Sequence, residues 1–347
     1  VTKTAPAAGK KRLNLGLQGG GSHGAFTWGV LDRLLEVDEL ELVGISGTSA
    51  GAMNAAALAY GLAVGGKAGA RACLAEFWGR IAAAARLSPL QPSPLDRWLG
   101  LGNMDFSPGW IASDNLARLA SPYELNPLNF HPLKDVLEAV VDFQALRRSC
   151  AAEQVLLFLC ATNVGTGRIK IFEGEEIGLD AVLASACLPW LFQAVEIDGQ
   201  HYWDGGYSGN PPIYPLIYGT DCEDVLIVQI NPINIESVPR TASEIVDRVN
   251  ELSFNSTLMR EMRAIHFVSK LLDEHRVERG RYKRLNIHTV EAETELARLG
   301  SSSKVNADKD FLGWLFDLGR ERCARFLDAH YEKIGVESST DVGAKFL

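Results

Sequence analysis

The chain has no apolar run long enough to cross a membrane, and its basic opening stretch, Val1 to Arg12, lacks the apolar segment of a secretory leader. The expectation is a cytoplasmic protein, or one peripheral at a membrane or lipid surface. It also lacks a basic excess. Lys and Arg number 34 against 43 Asp and Glu, for a formal net charge of −9. That excludes the electrostatic footprint of a nucleic-acid binder and does not favour broad contact with anionic lipid. The six cysteines (Cys73, Cys150, Cys160, Cys187, Cys222, Cys323) show neither Cys-x-x-Cys pairing nor a histidine at zinc spacing. This argues against a zinc site or a disulfide framework and for reduced, buried thiols. No internal repeat or low-complexity tract is present.

What the sequence does have is core and glycine. Apolar residues make up 47% of 347, charged residues 22%, and there are 33 glycines. Short apolar runs read as buried strands over 13–17, 42–45, 155–161, 168–172, 194–197, 225–230 and 285–290. Helical patterns run from about 25 to 36, 50 to 59, 70 to 85 after a loop at 61–69, 179 to 187, 241 to 274 and 310 to 334. Apolar strands alternating with helices predict an α/β fold of three layers, α/β/α, around a mainly parallel sheet. The expected organisation is a tail at 1–12, one domain over 13–335 and a tail at 336–347. Within the domain, residues 87–132 form a Pro-rich, irregular insertion carrying Trp98, Leu99, Leu101, Met104, Phe106, Trp110 and Ile111.

The most informative stretch is Gly47-Thr48-Ser49-Ala50-Gly51. It follows the apolar strand Leu42–Ile45 and opens an Ala-rich helix. That is the setting of a nucleophile elbow, where small neighbours let strand and helix close around a strained serine. A second Gly-x-Ser-x-Gly, at Gly20-Gly21-Ser22-His23-Gly24, makes Ser22 a rival. Three glycines precede it, however, so this segment reads better as a loop offering backbone amides to an anion, with Ser22 capping the next helix. Gly19, Gly21 and Gly24 also satisfy the dinucleotide fingerprint. The second strand ends in Ser46-Gly47-Thr48-Ser49, without the acidic residue a ribose requires, and no Walker lysine is present. Loop and elbow together make an oxyanion hole, with Gly19, Gly20, Gly21 and Ala50 as its residues.

A base for Ser49 is less obvious. After position 204, His266 and His275 lie in a helical pattern and His288 in a strand run, and none of the later histidines follows a strand in a Gly- or Pro-punctuated loop. Asp204 stands out instead, in Asp204-Gly205-Gly206 of the loop 201–212, whose glycines permit close backbone approach.

With these segments the chain resembles the bacterial patatin-like phospholipases over most of its length. Gly19–Gly24 is similar to that family's oxyanion motif, Gly47–Gly51 to its elbow, and Asp204-Gly205-Gly206 to its aspartate motif. Ala184–Phe192 is similar to the serine-containing segment ahead of the aspartate, and His23 departs from the usual Arg or Lys. The resemblance implies a Ser49–Asp204 dyad that cleaves acyl esters of lipids, with no metal and no organic cofactor. A carboxylate near its reference pKa of about 3.9 is a weak base, so the expectation is that oxyanion donors and positioning carry much of the catalysis. The alternatives are a hydrolase of another hydrophobic ester, such as a storage polyester, or a catalytically silent lipid- or granule-binding protein. The expected partners are the lipid or ester substrate and, transiently, a membrane or lipid aggregate. Trp98, Phe106 and Trp110 are the candidate substrate-access residues; the competing reading makes them a satellite core.

Overall fold

The computed structural model describes residues 9–100, 102–235, 238–277 and 282–347. Leu101 and the first eight residues of the expected N-terminal tail lie outside them. Eight strands among the described residues form one sheet: β1 (Lys11–Leu17), β2 (Leu40–Thr48), β3 (Leu156–Asn163), β4 (Ile169–Phe172), β5 (Val195–Ile197), β6 (Gln200–Asp204), β7 (Asp224–Gln229) and β8 (Asn286–Glu291). Their order is β5-β6-β3-β2-β1-β7-β8, with β4 also on β3. β3, β2, β1, β7 and β8 run parallel, and β4, β5 and β6 pair antiparallel.

The helices are α1 (Gly24–Leu34), α2 (Ala50–Ala85), α3 (Pro94–Leu99), α4 (Pro108–Leu119), α5 (Pro122–Leu125), α6 (Pro132–Val140), α7 (Phe143–Ala151), α8 (Leu179–Ser185), α9 (Tyr214–Gly219), α10 (Ala242–Asp273), α11 (Glu293–Leu296), α12 (Lys309–His330) and α13 (Val342–Phe346). They cover both faces of the sheet. Alternation along β7 shows why: Leu226 and Val228 join the core shared with α1, α2 and α12, while Val225 and Ile227 join a second core with Leu258 and Met262 of α10. A strand buried on both faces has no polar side, hence its continuous apolar run. The three-layer α/β/α expectation therefore holds.

Four local differences stand out. The loop expected at 61–69 shrinks to a kink at Gly65 and Gly66, where the two glycines break the helical dihedrals of α2. Residues 201–204 belong to a strand, β6, rather than to a loop. Its side chains pack poorly into either core, only Tyr202 and Asp204 being buried, so no apolar run marks it. The segment after 335, expected as a tail, folds onto the sheet: Thr340 donates its amide to the Ile287 carbonyl at 3.1 Å, and Phe346 fills the second core. At the other end, β1 begins at Lys11, inside the stretch assigned to a tail.

The insertion is a set of short helices started by prolines and Ser caps. Ser93 with Asp96 and Ser121 with Glu124 form capping boxes, an arrangement worth about 1 kcal/mol per cap. Its residues 102–105 dock on the 3-10 turn Ser301–Val305 and its flanks. Met104 donates its amide to Ser302 Oγ at 3.0 Å, Ser302 donates to Asp105 at 2.6 Å, and Asn306 donates to the Gly102 carbonyl at 2.8 Å. Met104 is fully buried. Most other large apolar side chains of the insertion are not: Trp98 is 80% exposed, Phe106 51% and Leu128 91%.

Candidate active site

Ser49 sits between β2 and α2 with φ 55° and ψ −122°, a backbone region that side chains rarely adopt. The strain is imposed from both sides. A Cβ at Gly51 would run into the Leu17 carbonyl, and one at Gly47 would come within 2.6 Å of the Gly51 carbonyl. Thr48 donates to the Gly209 carbonyl at 2.7 Å, and the Ser49 amide donates to Ser185 Oγ at 2.9 Å. The elbow is thus as the pentapeptide predicts. Ser22, the rival, lies in a 3-10 turn, Gly21–His23, and does not cap α1, whose cap position is His23. The triple glycine tightens the loop by a full 3-10 turn before the helix begins, which displaces the cap by one residue.

Asp204 ends β6. The register brings it to the elbow: Cys160 of β3 faces Thr48, and the next residue, Ala161, faces Asp204. The aspartate amide donates to the Cys187 carbonyl at 2.8 Å, and its own carbonyl accepts from Thr162 Oγ1 at 2.8 Å. One carboxylate oxygen accepts the Gly206 amide at 2.7 Å. The other is buried without a hydrogen bond of ordinary geometry, yet the Ser49 side chain lies near enough to favour the ionised form. Burial dominates and pushes the carboxyl up to about 7. This corrects the sequence-based expectation of a weak base near the reference value. A fully enclosed Asp204 exchanges water for apolar contacts, and at a pKa near neutrality it is matched to proton abstraction.

The Gly-rich loop lies against the elbow. A Cβ at Gly19 would come within 2.6 Å of Ser49 Cβ and 2.7 Å of the Thr48 carbonyl, so position 19 admits no side chain. The Gly19 amide, however, donates to Asn210 Oδ1 at 2.6 Å. Gly19 is therefore a spacer and not an oxyanion donor, contrary to its assignment from sequence. The amides of Gly20, Gly21 and Ala50 donate to no other described group and remain the candidate donors. The loop is fixed from behind by three amide side chains. Gln18 accepts from the amides of Ile230 and Asn231 at 2.9 and 3.0 Å and donates to the Asn210 carbonyl at 3.2 Å; Asn231 donates to the Gly19 carbonyl at 2.6 Å.

Sequence reasoning assigns no role to Ser185, Gln18, Asn210 or Asn231. Two had a signal, Ser185 as the serine of the Ala184–Phe192 segment and Asn210 because it precedes Pro211-Pro212 in the aspartate's own loop; Gln18 and Asn231 had none.

The histidines stand elsewhere. His23 is buried, bonds Ser303 Oγ at 2.8 Å through Nε2, and is pulled down to about 3, first by burial and then by Lys304. It is neutral at working pH. His288 Nε2 meets Asp224 at 2.9 Å and its Nδ1 meets Ser339 Oγ at 2.9 Å, at the start of β7, the opposite end of the parallel strands from the elbow. His131 stacks on Phe192 at 4.0 Å, tying the insertion to the segment after α8. Trp98 lies on α3, Phe106 precedes α4, and Trp110, partly buried, lies on α4. All six cysteines are free and buried, as their apolar settings imply. Among the described residues no helix is long and apolar enough to cross a membrane, and no cluster of three or more His, Cys, Asp or Glu side chains is arranged around a metal position.

Comparison with curated proteins gives no match. Among solved structures, the chain is similar to VipD from Legionella pneumophila at 15% identity and a TM-score of 0.43, over 93% of this chain and 68% of that one. The sequence profile of the patatin-like phospholipases matches residues 15–217, from β1 through α9. That span takes in the Gly-rich loop, the strained serine and the aspartate at the end of β6, and with more than half of its residues inside the match the chain belongs to the patatin-like phospholipase family, a family of lipid acyl hydrolases.

Proposed function

We propose that the protein is a serine hydrolase of lipid acyl esters in which Ser49 is the nucleophile and Asp204 the general base. The observation that carries this reading is the buried carboxylate, held up to about 7 beside a serine on a strained turn. Asp204 takes the hydroxyl proton as Ser49 Oγ attacks the ester carbonyl. The carbonyl oxygen gains charge facing the amides of Gly20, Gly21 and Ala50. The tetrahedral intermediate collapses, the C–O bond to the alcohol breaks, and Asp204 returns the proton to the leaving oxygen. Water then attacks the acyl-enzyme, with Asp204 again accepting the proton and Ser49 leaving. A single base serves both halves.

Lipid as the substrate class is supported by exposed apolar residues on two elements. Trp98, Leu119, Leu128 and Phe130 are exposed on the insertion, and Ile245, Val249 and Leu252 on α10. In an acidic protein, such a surface meets a lipid aggregate through apolar contact rather than charge. The insertion accordingly serves as the access wall for the acyl chain.

Fluorophosphonate labelling tests the assignment. The intact protein should be labelled, Ser49→Ala should not, and Ser22→Ala should keep most of the label. Labelling that survives Ser49→Ala but is lost in Ser22→Ala overturns the choice of nucleophile. A panel of phospholipids, lysophospholipids and short soluble esters then tests the substrate class.

A further inference from the structure

The mechanism above makes no use of a cation that lies against its oxyanion loop. Lys304 belongs to the 3-10 turn Ser301–Val305. Its carbonyl occupies the space a side chain would need at Gly21, which has φ +60°, so the two backbones are in direct contact. Its side chain reaches the same loop by a second route. Nζ stands 3.5 Å from Asn231 Oδ1, and the amide of that side chain donates to the Gly19 carbonyl at 2.6 Å and to Gln18 Oε1 at 3.2 Å. The ammonium is also the strongest charge acting on His23, which follows the loop.

Two carboxylates favour the charged form of the ammonium against burial. A quarter of the side chain remains exposed, and Glu251 Oε1 lies 4.0 Å away. Burial draws its pKa down, while Glu251 and Asp247 oppose this. Those carboxylates do not cancel it. Glu251 is shared with Arg248 at 3.3 Å, and burial raises Asp247, which accepts from Ser301 at 2.9 Å. A fixed cation behind backbone donors strengthens the potential at a developing oxyanion, and does so most where water is excluded.

We propose that Lys304 is a positioning and electrostatic residue of the acyl transfer: its ammonium braces Asn231 behind the Gly-rich loop and supplies the positive charge there that the neutral His23 does not. This rests on the assignment of Ser49 and its oxyanion loop.

The test compares binding of a charged adduct with binding of its neutral counterpart, in the full chain. A trifluoromethyl ketone adds Ser Oγ reversibly to give an anionic hemiketal, and the matching methyl ketone binds without that charge. Lys304→Met should lower kcat on a short soluble ester about tenfold to a hundredfold, less than loss of a direct donor, with KM within about twofold. It should weaken the trifluoromethyl ketone by a similar factor and leave the methyl ketone unchanged. Lys304→Arg should recover most of both. Equal loss on both ketones, an unchanged kcat, or an arginine variant as poor as methionine overturns the proposal.

If Lys304→Met does not fold, Lys304→Gln decides: a neutral side chain that can still reach Asn231 should lower kcat and weaken the trifluoromethyl ketone while sparing the methyl ketone, and wild-type values for both overturn the proposal. A wild-type protein that forms no adduct overturns the Ser49 assignment and this inference with it. Wild-type binding with an unaffected Lys304→Met overturns this inference alone.

Discussion

Asp204→Asn should make the protein more stable and nearly inactive, and the gain in stability should depend on pH. The aspartate is fully buried, and its pKa rises from an ordinary 3.8 to about 7. A carboxyl whose folded pKa is raised favours folding below its unfolded pKa and progressively loses that contribution as pH climbs through the folded value. Each tenfold change in proton affinity is worth about 1.36 kcal/mol, so ionised Asp204 costs the fold about 4 kcal/mol above pH 8. Relaxation and water entry make this an upper figure. About 2 to 3 kcal/mol of it falls between about pH 5 and about pH 8.5. Asparagine keeps the oxygen that accepts the Gly206 amide and removes the charge. Urea unfolding of the wild type and Asp204→Asn at those two pH values should therefore show the variant's relative stability growing by that amount at the higher pH. A stability difference that is the same at both values, or that shrinks as pH rises, would refute the claim that burial controls this carboxyl. Turnover of Asp204→Asn should fall by several orders of magnitude at both values, because each half-reaction needs the proton transfer.

Four further outcomes follow from the geometry. In the wild type, kcat/KM should rise with pH through about 7 and then level off, since the base must be ionised; stopped assays with a short ester across that range check it. Gly19→Ala should reduce turnover at least about a hundredfold with a modest change in melting temperature, because its Cβ would meet Ser49 Cβ at 2.6 Å and force loop and nucleophile apart. Ser185→Ala should lower kcat about tenfold while Ser185→Thr retains more, measured by the rate of fluorophosphonate labelling, because the Ser49 amide loses its acceptor. Trp98→Ala and Phe106→Ala should weaken hydrolysis of aggregated long-chain lipid and spare a short soluble ester; Trp110→Ala, partly buried, should also lower the melting temperature, and equal losses on both substrates would make all three core residues.

Elements built on apolar runs are legible in the amino-acid sequence itself. β2, β3, β7 and β8 carry leucine, isoleucine or valine on both faces, and β1 carries Leu13, Leu15 and Leu17 on one, so all five announce themselves. The elbow and the aspartate motif are legible because their glycines have steric reasons to be there. β6 is not, since only Tyr202 and Asp204 are buried and the strand is defined by its pairing with β3. Nor is the idle oxyanion role of Gly19, which depends on an amide 191 residues away at Asn210. The basicity of Asp204 is a property of enclosure, and no local pattern encodes enclosure. Lys304 carries no motif and acquires meaning only through the fold that sets it on Gly21.

The turn at 301–305 touches the insertion on one side and the catalytic loop on the other. Ser302 holds Met104 and Asp105 while its neighbours Ser303 and Lys304 hold His23 and Gly21. Two stretches that are about two hundred residues apart in the chain are therefore one unit of inheritance. A chimera that imports another protein's residues 87–132 but keeps its own 300–306 would mismatch the insertion side of that turn and, through the turn, disturb the Gly-rich loop without altering a residue of it. Recombination that exchanges the insertion has to carry the two segments together.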